Sequence, residues 1–250
     1  VWGDEHRDRV SVEILYLNHD FARYMGAELY HHIVDSLDAN NSGIGDWFFR
    51  QAAFPELPDN TDVYFRRYYP YRNKQTQLLK DSVLERRPGI GQFMQRLIDK
   101  YGIDQAVIVG FTSMFQQNVS CFALARALKE RNPNAVVVMG GANCEAPMGQ
   151  EIAKNVEQID YVFCGPALKS FPQFVEHYLE GSVDECSRIQ GVFSRMNCGF
   201  GNAGVNGTIG EELDIDVKVE LDYDSFLNTL KTNFPGSGIE PVLFFETSRG

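Results

Sequence analysis

Ala106–Ser113 (AVIVGFTS), Ala135–Cys144 (AVVVMGGANC) and Ile159–Ala167 (IDYVFCGPA) are three short β-branched runs, each ending in a loop of Gly, Ser, Thr or Asn. Between them lie amphipathic segments of helical length, so the stretch reads as repeated strand-helix-strand units and a parallel sheet. In an open parallel α/β sheet, ligands bind at the carboxyl ends of the strands. The loops closing these three runs therefore mark the candidate site. The helix between the first two runs is expected over Asn118–Arg131, with Asn118 as cap, Val119, Phe122, Ala123 and Leu128 as its apolar stripe, and Pro133 as its stop. Shorter helices are expected from Pro147 to Asn155 and from Phe171-Pro172 onward.

Working outward, Val12–Asn18 (VEILYLN) reads as a buried strand and Phe21–Leu37 as a helix with Tyr24, Leu29, His32 and Ile33 near one face. Residues 38–100 concentrate aromatics broken by Gly and Pro, which suggests a helical insertion ending in a helix from about Ile90 to Tyr101. After Gly181, IQGVFSRMNCGFGNAGVNGTIG resembles a hairpin with a glycine-rich tip. An acidic stretch, LDIDVKVELDYDSF, then leads to a last strand ending in FFETSRG. The expected organisation is a Rossmann-like, flavodoxin-like α/β domain over 1–182 with its core at 103–182, a hairpin and linker over 183–240, and a last strand over 241–250.

The chain of 250 residues has a hydrophobic content of 44% and a net charge of −11. That acidity argues against a nucleic-acid surface, and the basic pairs Arg66-Arg67 and Arg86-Arg87 read as solvated faces. Five widely spaced cysteines support neither a disulfide framework nor a metal site of the Cys-x-x-Cys kind. With no apolar run of spanning length and a polar amino terminus, the expectation is a cytoplasmic protein without a membrane partner.

Gly199–Gly204 matches the dinucleotide fingerprint in letters but lacks the strand before it and the helix after it, so it reads as a loop. Gly140-Gly141, with no Cβ, would let a large ligand approach the backbone at the rim; taken alone, a tight turn is the simpler reading. On that view a bulky residue at Gly141 should block a ligand slot and leave the fold intact. Gly110, Phe111, Thr112, Ser113 and Gln116 on the first run, Ala142 and Asn143 on the second, and Gly165-Pro166 on the third complete the candidate binding set. No histidine cluster suggests metal ligation: His19 and Asp20 are adjacent but lack a third ligand at useful spacing.

At these residues the sequence resembles the cobalamin-binding domain of B12-dependent radical S-adenosylmethionine enzymes, most closely the branch that matures ribosomally made peptides. The stretches carrying the resemblance are YLNHDFARYMGAELY, GDWFF, VGFTSMFQQNVSCFALARALKERNP, VVVMGGANCEAPMG, IDYVFCGPALKSFP and FFETSRG, in the family's order. The resemblance implies cobalamin lying across the strand ends, its nucleotide tail contacted by Thr112 and Ser113 and passing Gly140, Gly141 and Ala142. It further implies a radical S-adenosylmethionine barrel in cis, beginning near residues 241–250 and holding a [4Fe-4S] cluster and S-adenosylmethionine, with methyl transfer to a peptide substrate. The three cluster cysteines of that family are absent from this sequence, so this stretch alone is expected to be inactive. The Asp-x-His-x-x-Gly pattern is also absent, and Gly165-Pro166-Ala167-Leu168-Lys169 departs from the family's more acidic loop. Two other readings stay open: a B12-type fold without cobalamin that docks a peptide or partner, and an unrelated nucleotide- or flavin-using α/β enzyme.

Overall fold

A computed structural model describes residues 8–71, 73–198, 209–214, 217, 221–237, 240 and 241. The chain divides into two compact units, His31–Leu213 and Val1–Tyr30 with Asp214–Gly250.

In chain order the elements are α1 (Leu17–Met25), α2 (Ala27–Asp35), α3 (Leu37–Ser42), α4 (Ile44–Ala53), α5 (Thr61–Tyr68), α6 (Lys74–Arg86) and α7 (Ile90–Tyr101). Then come β1 (Ile108–Thr112), α8 (Asn118–Arg131), β2 (Val136–Gly140), α9 (Met148–Asn155), β3 (Tyr161–Phe163), α10 (Ser170–Leu179), α11 (Val183–Cys186), β4 (Val192–Phe193) and α12 (Asp224–Asn233). The fold is α/β and Rossmann-like: an open sheet of order β1-β2-β3-β4, parallel from β1 to β3, with helices around it. β4 pairs antiparallel with β3.

Burial follows the sequence pattern. Val137, Val138 and Met139 of β2 and all of β3 are buried, as expected where helices cover both faces of a parallel sheet. β1, at the end of the order, is only half-buried, and Gly110 and Thr112 are exposed. On α8 the small residues Ala123, Ala125 and Ala127 are buried, and this helix packs most extensively against α4.

Trp47, Phe48, Phe49, Tyr64 and Phe65 form the core of the helical stretch. Trp47 stacks on Tyr64 at 4.3 Å, and the Arg87 guanidinium lies 3.9 Å above Trp47 while pairing with Asp59 at 2.9 Å. Such a stacked, ion-paired guanidinium is not replaceable by lysine without loss of the planar contact.

Several expectations are corrected. Residues 10–16 form no strand, and Val12 and Ile14 are exposed. A strand requires a partner ladder, and the end of this run is instead taken into α1, where His19, Ala22 and Met25 bury one helical face. The single helix expected over Phe21–Leu37 is broken at Gly26, whose φ of +85° ends α1. β4 extends the main sheet, and the glycine-rich tip and the FFETSRG strand lie outside the described residues. No described helix is long and apolar enough to cross a membrane.

Candidate functional site

Parallel register places Thr112 opposite Gly140, so the loops after β1 and β2 leave the sheet side by side. They are fastened by backbone and amide bonds. Ser113 N–H donates to the Gly140 carbonyl at 2.8 Å, and Asn143 N–H donates to the Ser113 carbonyl at 3.2 Å. The Ser113 hydroxyl is fully buried; it donates to Asn118 Oδ1 at 2.8 Å and accepts from Asn143 Nδ2 at 3.0 Å. A buried hydroxyl with both roles filled inside the protein holds the two loops together; of the adjacent pair, Thr112 is the one exposed.

Gly141 has the same internal purpose. Its φ is +97°, and a Cβ there would lie 2.5 Å from the Ser113 carbonyl oxygen and 2.8 Å from its nitrogen. The space beside Gly141 is filled by the Ser113 backbone, so a bulky residue would break the loop junction instead of leaving the fold intact. Gly140 is less constrained, since a Cβ would meet Phe163 at an ordinary 3.7 Å. Ala142 and Asn143 open a 3-10 turn over Ala142–Cys144.

The junction holds the intervening loop in an unusual shape. Asn143 Nδ2 donates to the Phe115 carbonyl at 2.8 Å, and Met114 N–H donates to Gln117 Oε1 at 2.9 Å. Phe115 takes a φ of +50°, rare for a bulky residue, and its side chain is 82% exposed. A strained backbone that presents an apolar ring to solvent is a mark of a binding loop. Met114 is also exposed. Phe111, by contrast, is half-buried in β1, and a Cβ on Gly110 would touch only Val138 at 3.5 Å.

Gln116 faces the helical stretch. Its Oε1 accepts from Gly45 N–H at 2.7 Å, and its Nε2 donates to Asn40 Oδ1 at 2.9 Å. Beside it, Asp46 Oδ1 accepts from Val119 N–H at 2.9 Å, so the amino terminus of α8 is capped by a carboxylate from α4 and not by Asn118. Burial raises the Asp46 pKa above the usual carboxylate range, and the Val119 N–H pulls it partly back. In nucleotide-binding α/β folds the corresponding helix start receives a phosphate. Here the Asp46 side chain already takes the Val119 N–H.

Among the described residues, no hydrogen bond joins the third expected loop to this pair. Gly165 (φ +81°) lies under Ile209, whose Cγ2 would be 2.5 Å from a Cβ at that position. Gly210 N–H donates to the Cys164 carbonyl at 2.7 Å, and a Cβ on Gly210 would strike the Pro166 carbonyl oxygen. Gly165 and Pro166 therefore seat the returning connector. Lys169 pairs with Glu211 of that connector at 3.3 Å.

Cys121, Cys144 and Cys164 are buried beneath the rim, and burial raises their thiol pKa values to about 12, about 11 and about 12. They are neutral packing groups at physiological pH. Among the described residues no three His, Cys, Asp or Glu side chains are grouped as metal ligands. His19 is buried with Tyr16, Phe226 and Phe234 around its ring, and burial lowers its pKa.

The sequence reading named the two interlocked loops but assigned no role to Asp46 or Phe115. Phe115 had a signal, an apolar residue inside the polar loop SMFQQN. Asp46 had none, because its contact spans 73 residues of sequence. No family model, curated protein or solved structure matches this chain.

Proposed function

We propose that the rim formed by the β1 and β2 loops is the cobalamin-binding surface of a B12-dependent radical S-adenosylmethionine enzyme, acting as a methyltransferase on a ribosomally made peptide. The reading rests on the resemblance of the sequence stretches. The observation that carries it furthest is the combination at the mouth of β1: exposed Thr112, Met114 and Phe115 beside an α8 amino terminus already occupied by the Asp46 carboxylate. A nucleotide or flavin would find the Val119 N–H at the helix terminus already taken by Asp46, which weighs against the nucleotide-using alternative.

The residues present suit a large, largely neutral ligand on one side of the rim. Thr112 offers a hydroxyl, Met114 and Phe115 offer apolar surface, and Gly110 leaves the strand edge uncovered. Ser113 and Asn143 hold this loop in place, while Gly140, Gly141 and Ala142 provide the adjoining turn. When bound, cobalamin would supply the methyl group for transfer; the role of this chain is to bind and orient it. The cluster and S-adenosylmethionine belong to the barrel that the resemblance implies. Reaction at a peptide is part of the same proposal, as is a location in the cytoplasm.

The test is titration with hydroxocobalamin, followed by its visible spectrum, for wild type and Thr112→Arg, with flavin mononucleotide in parallel. The reading expects saturable cobalamin binding, at least tenfold weaker in the variant, and no flavin binding. Saturable flavin binding without cobalamin binding would establish the alternative enzyme class.

A further inference from the structure

Within the helical stretch the acidic balance of the chain reverses. Residues 61–87 hold seven basic against three acidic side chains, in a chain whose net charge is −11. Elsewhere in unit His31–Leu213, Arg126, Lys129, Arg131, Lys169 and Arg188 each lie within 4.0 Å of a carboxylate. Within the basic segment, Arg87 is buried against Asp59 and Arg86 meets Glu85. Arg66, Arg67 and Lys74 differ, for they are exposed and have no carboxylate partner among the described residues. Between them the chain presents Tyr68 and Tyr71, 42% and 77% exposed, with Leu78 exposed on α6.

This run is held firmly from beneath. Tyr64 and Phe65 are buried on α5, Tyr69 Oη bonds Ser42 Oγ at 2.8 Å, and Asn73 caps α6 through Thr76 N–H at 2.8 Å. The backbone beneath the exposed groups is therefore fixed before binding. Exposed Tyr and Arg are the residue types that dominate interface energetics, and unpaired guanidinium groups recognise carboxylates through paired hydrogen bonds.

We infer that the exposed side chains of Arg66, Arg67, Tyr68, Tyr71, Lys74 and Leu78 dock an acidic peptide segment, its carboxylates on Arg66, Arg67 and Lys74 and its apolar side chains against Tyr68, Tyr71 and Leu78. This deepens the proposed function, and rests on it only in naming that peptide as the substrate. A peptide is favoured over a nucleic acid because the basic patch is short and the surrounding protein is strongly acidic, which repels an extended polyanion.

The experiment is fluorescence polarisation of the full-length protein with a labelled peptide of Glu, Asp, Ser and Leu. Comparison probes are the same peptide with Lys at every acidic position, and a labelled oligothymidylate. Wild type should bind the acidic peptide, more weakly as salt rises, and Arg66→Glu with Arg67→Glu should weaken it at least tenfold. Lys74→Glu serves as the second variant because an acidic residue suits the first turn of a helix; it should weaken binding severalfold with α6 intact. Equal binding of the acidic and basic peptides, unchanged affinity in both variants, or tighter binding of the oligonucleotide would overturn the inference. Cobalamin titration of the same samples separates the two claims: normal cobalamin binding with no peptide binding removes only the peptide surface. Absent cobalamin binding with intact peptide binding removes only the cofactor reading.

Discussion

The two ends of the sheet are built from different chemistry. At the amino ends, charge does the joining: Lys129 Nζ meets Asp160 Oδ2 at 2.6 Å, and the same oxygen accepts from Val137 N–H at 2.7 Å. Nearby, Arg131 bridges Asp99 and Asp104 at 2.6 and 2.7 Å, and its hydrogen bonds hold the Asp104 pKa below the usual carboxylate range. At the carboxyl ends of β1 and β2, neutral amides, a buried hydroxyl and a glycine do the joining, and a strained loop points apolar side chains outward. The amino end is closed on itself. The carboxyl end is fixed in its backbone yet exposed in its side chains, the arrangement that the proposed binding rim requires.

The largest effect expected from breaking this contrast is at Gly141. Gly141→Val combines a positive φ with a contact on the Ser113 backbone, and should cost about 3 kcal/mol or more of stability, measured by urea denaturation. Gly140→Ala should cost far less, because its Cβ would make only ordinary contacts with Phe163, at 3.7 and 3.8 Å. Equal losses at the two glycines would remove the close approach as the reason for Gly141.

At the opposite end, Asp160→Ala removes both the ion pair and the acceptor of Val137 N–H, and should cost about 2 kcal/mol. Ligand binding at the carboxyl rim should be unchanged by it. A variant that lost cobalamin while remaining folded would erase the division of labour between the ends.

Asp46 sharpens the comparison because it puts a carboxylate at the neutral end. Asp46→Ala should cost about 1 kcal/mol through the lost cap, whereas Asp46→Asn keeps an oxygen acceptor and should be nearly neutral. The pH dependence has a definite sign. A carboxyl whose folded pKa is raised contributes stability at low pH that is lost as pH rises through that value, so Asp46→Asn should be relatively more stable than wild type at neutral pH than at acid pH. Calorimetric melting of both proteins across that range measures it, and a gap that narrows as pH rises would contradict the assignment.

The smallest effect concerns the thiols. Cys121, Cys144, Cys164 and Cys186 are buried, and burial raises each thiol pKa, whereas Cys198 is partly exposed. Iodoacetamide near pH 8 should modify Cys198 first. Rapid labelling at Cys144 or Cys164, read by peptide mass mapping, would show that the rim opens.

The parallel core was legible in the sequence because each of its signals is local. Three β-branched runs spaced by helical segments gave β1, β2 and β3, and the bounds expected for Asn118–Arg131 and Ile90–Tyr101 coincide with α8 and α7. Local reading failed where a distant partner decides. VEILYLN has strand chemistry but no ladder among the described residues. Asn118 has a capping side chain, yet Asp46 provides the cap and Asn118 is drawn to Ser113. Gly141 and Gly165 were readable as glycines needing space, but only coordinates show that protein backbone and Ile209 fill it.

The central claim is met most directly by the cobalt content of the full-length product, purified without oxygen from cells supplied with B12, for wild type, Thr112→Arg and Asp160→Ala. The account predicts close to one cobalt per chain in wild type and Asp160→Ala, and little in Thr112→Arg. Wild-type protein without cobalt, or cobalt retained in full by Thr112→Arg, would contradict it.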